Sequence, residues 1–144
     1  MVDESLLKEL KATQDKGAAS ASVADVMKVF EFIKQISTEN EDLKEELEDM
    51  DIAIQMVISD ADHKFWLTVK EGDLDFGDGE VDNPSFTMSS NLEVAAGIMM
   101  GEVDATSAYM AGDITVEGNL QDAMAFQEII ELALEAYEDL VEDL

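Results

Sequence analysis

The spacing of apolar residues changes along this chain from helical to alternating and back, and each change predicts a change of element. Before residue 17, Leu6, Leu7 and Leu10 stand among charges in an amphipathic stretch too brief to be stable alone. Gly17-Ala18-Ala19-Ser20-Ala21-Ser22 then reads as a flexible joint, so residues 1–21 are set apart from a main domain at 22–144. From Ser22, with Asp25 three residues on, a helix start is expected, and Val26, Met27, Phe30 and Ile33 share the face it should bury. Residues 39–50 place Leu43, Leu47 and Met50 on a narrow stripe between carboxylates, which predicts a second helix lying on the surface.

At Asp51 the period becomes two. Ile52, Ile54, Met56 and Ile58 alternate with Ala53, Gln55, Val57 and Ser59, and after a turn at Ser59-Asp60-Ala61-Asp62 the run His63–Lys70 alternates Phe65, Leu67 and Val69 against Trp66 and Thr68. The pair reads as an antiparallel hairpin. Residues 73–76 and 81–88 predict two further extended segments around Gly72, Gly77, Gly79 and Pro84. Helical spacing returns at Ser90, read as the cap of a capping box with Glu93, over residues 92–100 and up to Gly101. Asp104 caps one or two turns through Met110, Gly112 stops them, and Ile114 with Val116 marks a last strand. Asn119 then caps a long helix over 119–144, with Asp122 in its first turn. Its apolar face is too broad for a narrow stripe: Leu120, Ala123, Met124, Ile130, Leu134 and Val141 are widened by Phe126, Ile129, Ala133, Tyr137 and Leu140. That helix should cover something large. Periodicity alone therefore gives an α+β sandwich with about five strands.

The ordered signals from residue 57 to residue 126 resemble the sterol-carrier-protein-2 family. They are Phe65-Trp66-Leu67-Thr68-Val69, a Gly/Asp-rich turn over 72–79, and Pro84-Ser85-Phe86-Thr87-Met88-Ser89 followed by a helix and Gly101. Next come Asp104-Ala105-Thr106-Ser107-Ala108-Tyr109-Met110-Ala111-Gly112 and Asp113-Ile114-Thr115-Val116-Glu117-Gly118-Asn119. The likeness is tight over about half the chain and looser over most of 22–144. It implies a five-stranded, mainly antiparallel sheet covered by helices, with a hydrophobic tunnel that accepts acyl chains or sterol-like molecules. The family usually carries a cation in the strand after the short helix; this chain has Asp113 and Glu117 there, so charge-based features of the family are not carried over.

Chemistry-bearing clusters are few. The one histidine, His63, lies in a turn beside Asp60, Asp62 and Lys64 and reads as a solvated hairpin residue; no Gly-x-Ser-x-Gly elbow is present, and no catalytic residue is nominated. The run 73–82 has the carboxylates of a calcium loop but places Gly77 and Asp78 where Asp or Asn and then Gly belong, and Pro84 where the bidentate Glu belongs, so it reads as an inter-strand turn and not a metal site. With no cysteine, thiolate metal sites, disulfides and cysteine nucleophiles are excluded. No cofactor is expected, and no glycine-rich loop opens a helix to cradle a phosphate. The methionines carry the positive argument. Nine occur in 144 residues, and flexible, polarisable side chains suit a surface that adapts to an apolar guest. Together with the tunnel that the resemblance implies, they nominate Trp66, Phe86, Met88, Met99, Met100, Tyr109, Met110, Met124, Phe126 and Ile130 as the lining of a lipid site. The expected function is non-enzymatic binding, or transfer, of a fatty acyl, sterol-like or isoprenoid molecule. The alternative is an oligomerisation or protein-interaction module with a filled core; oligomeric state stays open, with a dimer allowed.

Charge narrows the partners. Against 35 acidic side chains stand 8 lysines and no arginine, a net charge of −27, and residues 71–144 carry 19 carboxylates and no cation. Such a surface repels nucleic-acid phosphates and anionic headgroups, which removes nucleic acid and stable membrane association from the expected partners. No apolar run approaches the roughly 20 residues that span a bilayer, and Met1-Val2-Asp3-Glu4 has no basic or apolar leader character, so a cytoplasmic location is expected. Because the carboxylates are spread along the whole chain, a salt-rich or crowded cytoplasm explains them better than one basic partner. On that reading, the melting temperature rises as salt goes from about 0.1 M to about 1 M, where the screening length falls to roughly 3 Å; a flat melting series contradicts it.

Overall fold

Helix α1 (Glu4–Lys16) opens the chain in the computed structural model, which describes residues 3–142. Asp3 caps it by accepting the Ser5 N–H at 2.9 Å, and Leu6, Leu7, Leu10 and Thr13 are buried against neighbouring helices. Packing thus supplies the stability that its length lacks, and the stretch read as a marginal segment and a flexible joint is structured over its described part. A 3-10 turn, Ala18–Ser20, stands where the joint was expected, with Ala18 and Ala21 buried and the Ala18 N–H donated to the Glu102 carboxylate at 3.1 Å. Met1 and Val2, on which the reading of the N-terminus rested, and the last two residues of the expected C-terminal helix lie outside the described residues.

At the expected helix start, Ser22 and Asp25 form a capping box that opens α2 (Val23–Ile36), which buries Val26, Phe30, Phe32, Ile33 and Ile36. Asn40 caps α3 (Glu41–Glu48). Its stripe is more than a surface contact, since Leu43 and Leu47 are fully buried against the sheet and the last helix. Strands β1 (Asp51–Ile58) and β2 (His63–Lys70) form the hairpin in full register, from Asp51 opposite Lys70 to Ile58 opposite His63. Strands β3 (Asp73–Asp78), β4 (Phe86–Ser90) and β5 (Ile114–Gly118) complete a sheet of order β3-β2-β1-β4-β5. Every pairing is antiparallel except β1 with β4, which run parallel.

With this order the chain must pass across β2 and β1 between β3 and β4. Residues 81–85, expected as part of an extended run, form the crossing instead. Gln55, buried in β1, holds it: its Oε1 accepts the Val81 N–H at 2.8 Å and its Nε2 donates to the carbonyls of Phe65 and Gly79 at 3.1 and 3.0 Å. Alternation had placed Gln55 on the outer face and gave no sign of this role.

Three helices follow: α4 (Leu92–Met99), α5 (Ala105–Ala111) and α6 (Leu120–Glu142). The cap of α4 is Asn91, which accepts the Val94 N–H at 2.8 Å, and not Ser90, which stays in β4 and is buried. One face of the sheet, built by Ile54, Met56, Phe65, Leu67, Phe86, Met88 and Ile114, is buried beneath the helices. An aromatic chain crosses the two layers: Phe30 of α2 meets Phe65 of β2 edge-on at 5.2 Å and stacks on Phe126 of α6 at 6.4 Å, and Phe126 meets Phe86 of β4 at 6.3 Å.

A buried carboxylate joins the first two helices. Asp25 accepts the Ser22 N–H at 2.9 Å and the Thr13 hydroxyl at 3.3 Å, and lies 2.9 Å from the Lys16 ammonium. Burial by itself raises its pKa, but the Ser22 N–H, Lys16 and the Ser22 hydroxyl together outweigh that and hold it at about 2. Because the folded value lies below the unfolded one, the stabilisation is complete above the unfolded pKa of 3.8 and is lost as pH falls through about 2. The charged form is worth about 2 kcal/mol at neutral pH. In urea denaturation, Asp25→Asn is expected to be less stable than the parent by that order at pH 7, with the gap closing toward pH 2; a gap that does not change with pH contradicts the assignment.

Candidate functional site

Beyond Phe126 toward the N-terminus of α6, the packing opens. Gly118 ends β5 at φ +116°, where a Cβ would lie 2.5 Å from the Ser85 carbonyl oxygen, so only glycine lets the chain turn there from strand to helix. Asn119 then accepts the N–H groups of Gln121 and Asp122 at 2.9 and 3.3 Å and starts α6. Asp104 caps α5 in the same manner, accepting the N–H and hydroxyl of Ser107 at 3.1 and 2.8 Å, bonds that lower its pKa. Gly112, at φ +84°, closes α5 after seven residues. Such a short helix buries only Ala108 and presents Tyr109 and Met110 away from the core.

Between α5, α6, α4 and the β4–β5 edge lies a cavity of about 330 Å³. Met88, Ile114 and Val116 form its floor, Ile98 its inner end, Ala105, Thr106, Tyr109 and Met110 one wall, and Leu120, Ala123, Met124, Phe126, Gln127 and Ile130 the other. Its mouth is marked by large apolar side chains left in solvent, with Met110 80% and Met124 70% exposed, Leu120 and Tyr109 about half so. Exposed apolar side chains clustered at the edge of a concavity mark a binding surface more often than scattered ones do. Thr106, Gln127 and the Tyr109 phenol bring the uncharged hydrogen-bonding side chains; among the described residues no Asp, Glu, Lys, His or Ser lines the space. Such an arrangement can remove an apolar molecule from water.

Of the ten residues nominated from sequence, Met88, Tyr109, Met110, Met124, Phe126 and Ile130 line this cavity. Met99 and Met100 line a second, much smaller space of about 40 Å³ between α1, α2, α4 and α6; Ile130 borders both. Phe86 is packed in the core under Phe126. Trp66 is elsewhere. It points from the outer face of the sheet over Gly77, where a Cβ would approach its ring to 2.7 Å. Odd-numbered Phe65, Leu67 and Val69 take the helix side, so strand alternation could have excluded Trp66 from the lining. The nominated set omitted Ile98, Ala105, Thr106, Ile114, Val116, Leu120, Ala123 and Gln127. For Ile114 and Val116, the two-residue period was the available signal; small residues such as Ala105 and Ala123 gave none, because they line a space by failing to fill it. The implied tunnel is not shown: the two spaces lined by nominated residues are separate cavities that share Ile130.

Two other places were open to a functional reading. A broad depression of about 490 Å³ surrounds His63, but Lys28, Glu31 and Asp78 border it along with Leu6, Met27 and Phe76, and it is shallower and more open than the α5–α6 cavity. His63 Nε2 lies 3.2 Å from Asp78 Oδ1, in an orientation that does not make a hydrogen bond. The extended segment expected at 73–76 is strand β3, which runs on through Gly77 and Asp78 into what was read as turn, and its Asp75 pairs with Lys34 at 3.2 Å. Among the described residues no three His, Asp or Glu side chains are grouped to hold a metal ion.

Residues 33–131 match the family model described as the SCP-2 sterol transfer family. This chain belongs to that family. Solved structures agree on the fold. The sterol carrier protein domain 2 of Helicoverpa armigera superposes with a TM-score of 0.63 at 17% identity, over 76% of this chain and 88% of that one. Sterol carrier protein 2 from Yarrowia lipolytica, in its apo form, gives 0.59 at 19% identity, over 74% and 89%. A ubiquinone synthesis protein, UbiJ-SCP2, gives 0.59 at 17% identity, over 73% and 95%. No curated protein sequence matches the chain. The match starts at residue 33, so α1 and most of α2 lie outside the part that defines the SCP-2 family. Among the described residues no helix is long and apolar enough to cross a membrane.

Phe126, which separates the cavity from the aromatic core, and Met124, at the mouth, should respond oppositely to truncation. In urea denaturation, Phe126→Ala is expected to cost about 3–5 kcal/mol and Met124→Ala no more than about 0.5 kcal/mol. Equal losses would mean that the mouth is packed and the cavity closed.

Proposed function

We propose that this chain binds one apolar molecule, a fatty acyl, isoprenoid or sterol-like lipid, in the cavity between α5, α6 and the β4–β5 edge, and holds or hands it on without chemical change. The observation that carries this reading is the 330 Å³ space lined almost wholly by apolar side chains and opening through exposed Met110, Met124 and Leu120. Its size falls within the roughly 300–1,000 Å³ of small-molecule pockets. Family membership adds weight, because the family is one of sterol transfer.

Area drives such binding. Each methylene withdrawn from water gains about 0.8 kcal/mol, so a 14-carbon chain has on the order of 10 kcal/mol available before ordering costs are subtracted. Met88, Met110 and Met124 can re-pack around guests of different outline. An interaction module with a filled core fits less well, since the space is not filled. A hydrolase fits less well again, since no carboxylate, histidine or serine is among the lining residues described.

Native mass spectrometry of the purified protein, before and after incubation with the neutral dye Nile red, tests the reading. One bound apolar molecule per chain is expected, and Ala123→Trp, which fills the cavity beside α6, is expected to weaken dye binding at least tenfold while circular dichroism stays unchanged. Failure of the parent protein to retain any lipid or dye contradicts the proposal, as does undiminished binding to the Trp variant.

A further inference from the structure

The cavity is assembled from residues 88–130, a part of the chain with no lysine or arginine. Lys70 is the last cation in the sequence. It ends β2, which is separated from β5 by β1 and β4, about 14 Å across the sheet. Of the other lysines, Lys8 pairs with Glu4, Lys16 and Lys28 with Asp25, Lys34 with Asp75 and Lys64 with Glu80, while Lys11 and Lys44 stand on α1 and α3, neither of which lines the cavity. Carboxylates, by contrast, stand directly beside lining residues. Exposed Asp104 caps α5 immediately before Ala105, and exposed Glu131 of α6 accepts the Gln127 Nε2–H at 3.4 Å; Glu117, next to Val116 in β5, falls on the opposite face of the sheet. The positive end of α6, where an anion could otherwise dock, is occupied by the Asn119 side chain and has Asp122 in its first turn.

Resting on the lipid reading above, we propose that the site selects its amphiphile by headgroup charge, accepting neutral or cationic heads and discriminating against carboxylate, sulfate and phosphate. An apolar tail inside the cavity leaves its head at the mouth, among carboxylates with no cation to answer a negative charge. A neutral head meets no such penalty and finds two hydrogen-bonding side chains, Thr106 and Gln127. Their present bonds, Thr106 Oγ1 to Gln127 Oε1 and Gln127 Nε2 to Glu131 Oε1, are both 3.4 Å long and are readily exchanged for a ligand hydroxyl.

Displacement of Nile red by three 12-carbon probes separates these terms: dodecanol, dodecylammonium and dodecanoate share a tail and differ in charge. At about 0.1 M salt, dodecylammonium is expected to displace the dye at a concentration at least tenfold below that of dodecanoate, with the gap contracting at about 1 M salt as screening shortens. Glu131→Lys should narrow the gap and leave dodecanol displacement unchanged. Glu48→Lys, which makes the same change in net charge at an exposed position of α3, should leave most of it. Dodecanoate binding as tightly as dodecylammonium at low salt overturns the inference while the cavity reading stands. So does an equal response to the two variants, which would make the preference a property of total charge. If none of the three probes displaces the dye, the cavity reading itself falls and the inference with it.

Discussion

The contact on which the rest of the architecture depends is the stack of Phe30 on Phe126, with Phe86 beneath. It ties α2, α6 and β4 together at one point, where all three rings are buried. On the C-terminal side of Phe126, α6 buries Ile129, Ala133, Ala136 and Tyr137, with Ile130 bordering both cavities and only the small one of about 40 Å³ left among them. On its N-terminal side, the helix turns Leu120, Ala123 and Met124 toward a space that nothing fills. One aromatic anchor in an otherwise continuous helix thus divides a core from a cavity. Rigid packing on one side fixes the wall against which a guest on the other side would rest.

Charge shapes the same division. The N-terminal half contains all the lysines and uses them in specific places, above all around Asp25, where two helices meet. From Glu71 onward no cation exists, so α4, α5, β5 and α6 are held by apolar contact and backbone bonding against their own repulsion. Two carboxylates even meet between α3 and α6: hydrogen bonding to Glu128 raises the pKa of Glu46. A half built in this way has apolar area as its main cohesive resource, and part of that area is left exposed at the cavity mouth.

Much of the fold was legible because its signals are local. The β1–β2 hairpin followed from strict alternation, and the caps at Ser22, Asp104 and Asn119 from short polar side chains placed ahead of apolar runs. What was not legible depends on contacts between distant residues. The parallel pairing of β1 with β4 needs a crossing loop held by Gln55, a residue that alternation treats as solvent-facing. Helix α1 is stable because α2 and α6 cover it, including a bond from the Tyr137 hydroxyl to Gln14 at 3.2 Å, and a stretch read alone cannot show that. At the site, methionine content pointed to the α5–α6 region, where a cavity lies, but could not separate Met110 and Met124 at a mouth from Met99 packed in the core. That separation is made by the position of Phe126 and the shortness of α5.

The same methionines provide the most direct test of where a guest sits. With the methionine methyl groups labelled with carbon-13, titration of dodecanol can be followed by NMR at each site. Met88, Met110 and Met124 are predicted to shift on binding, while Met27 and Met50, which do not line the cavity, hold their positions. Shifts confined to Met27 and its neighbours around His63, or no shift at any methionine at saturating dodecanol, would contradict it.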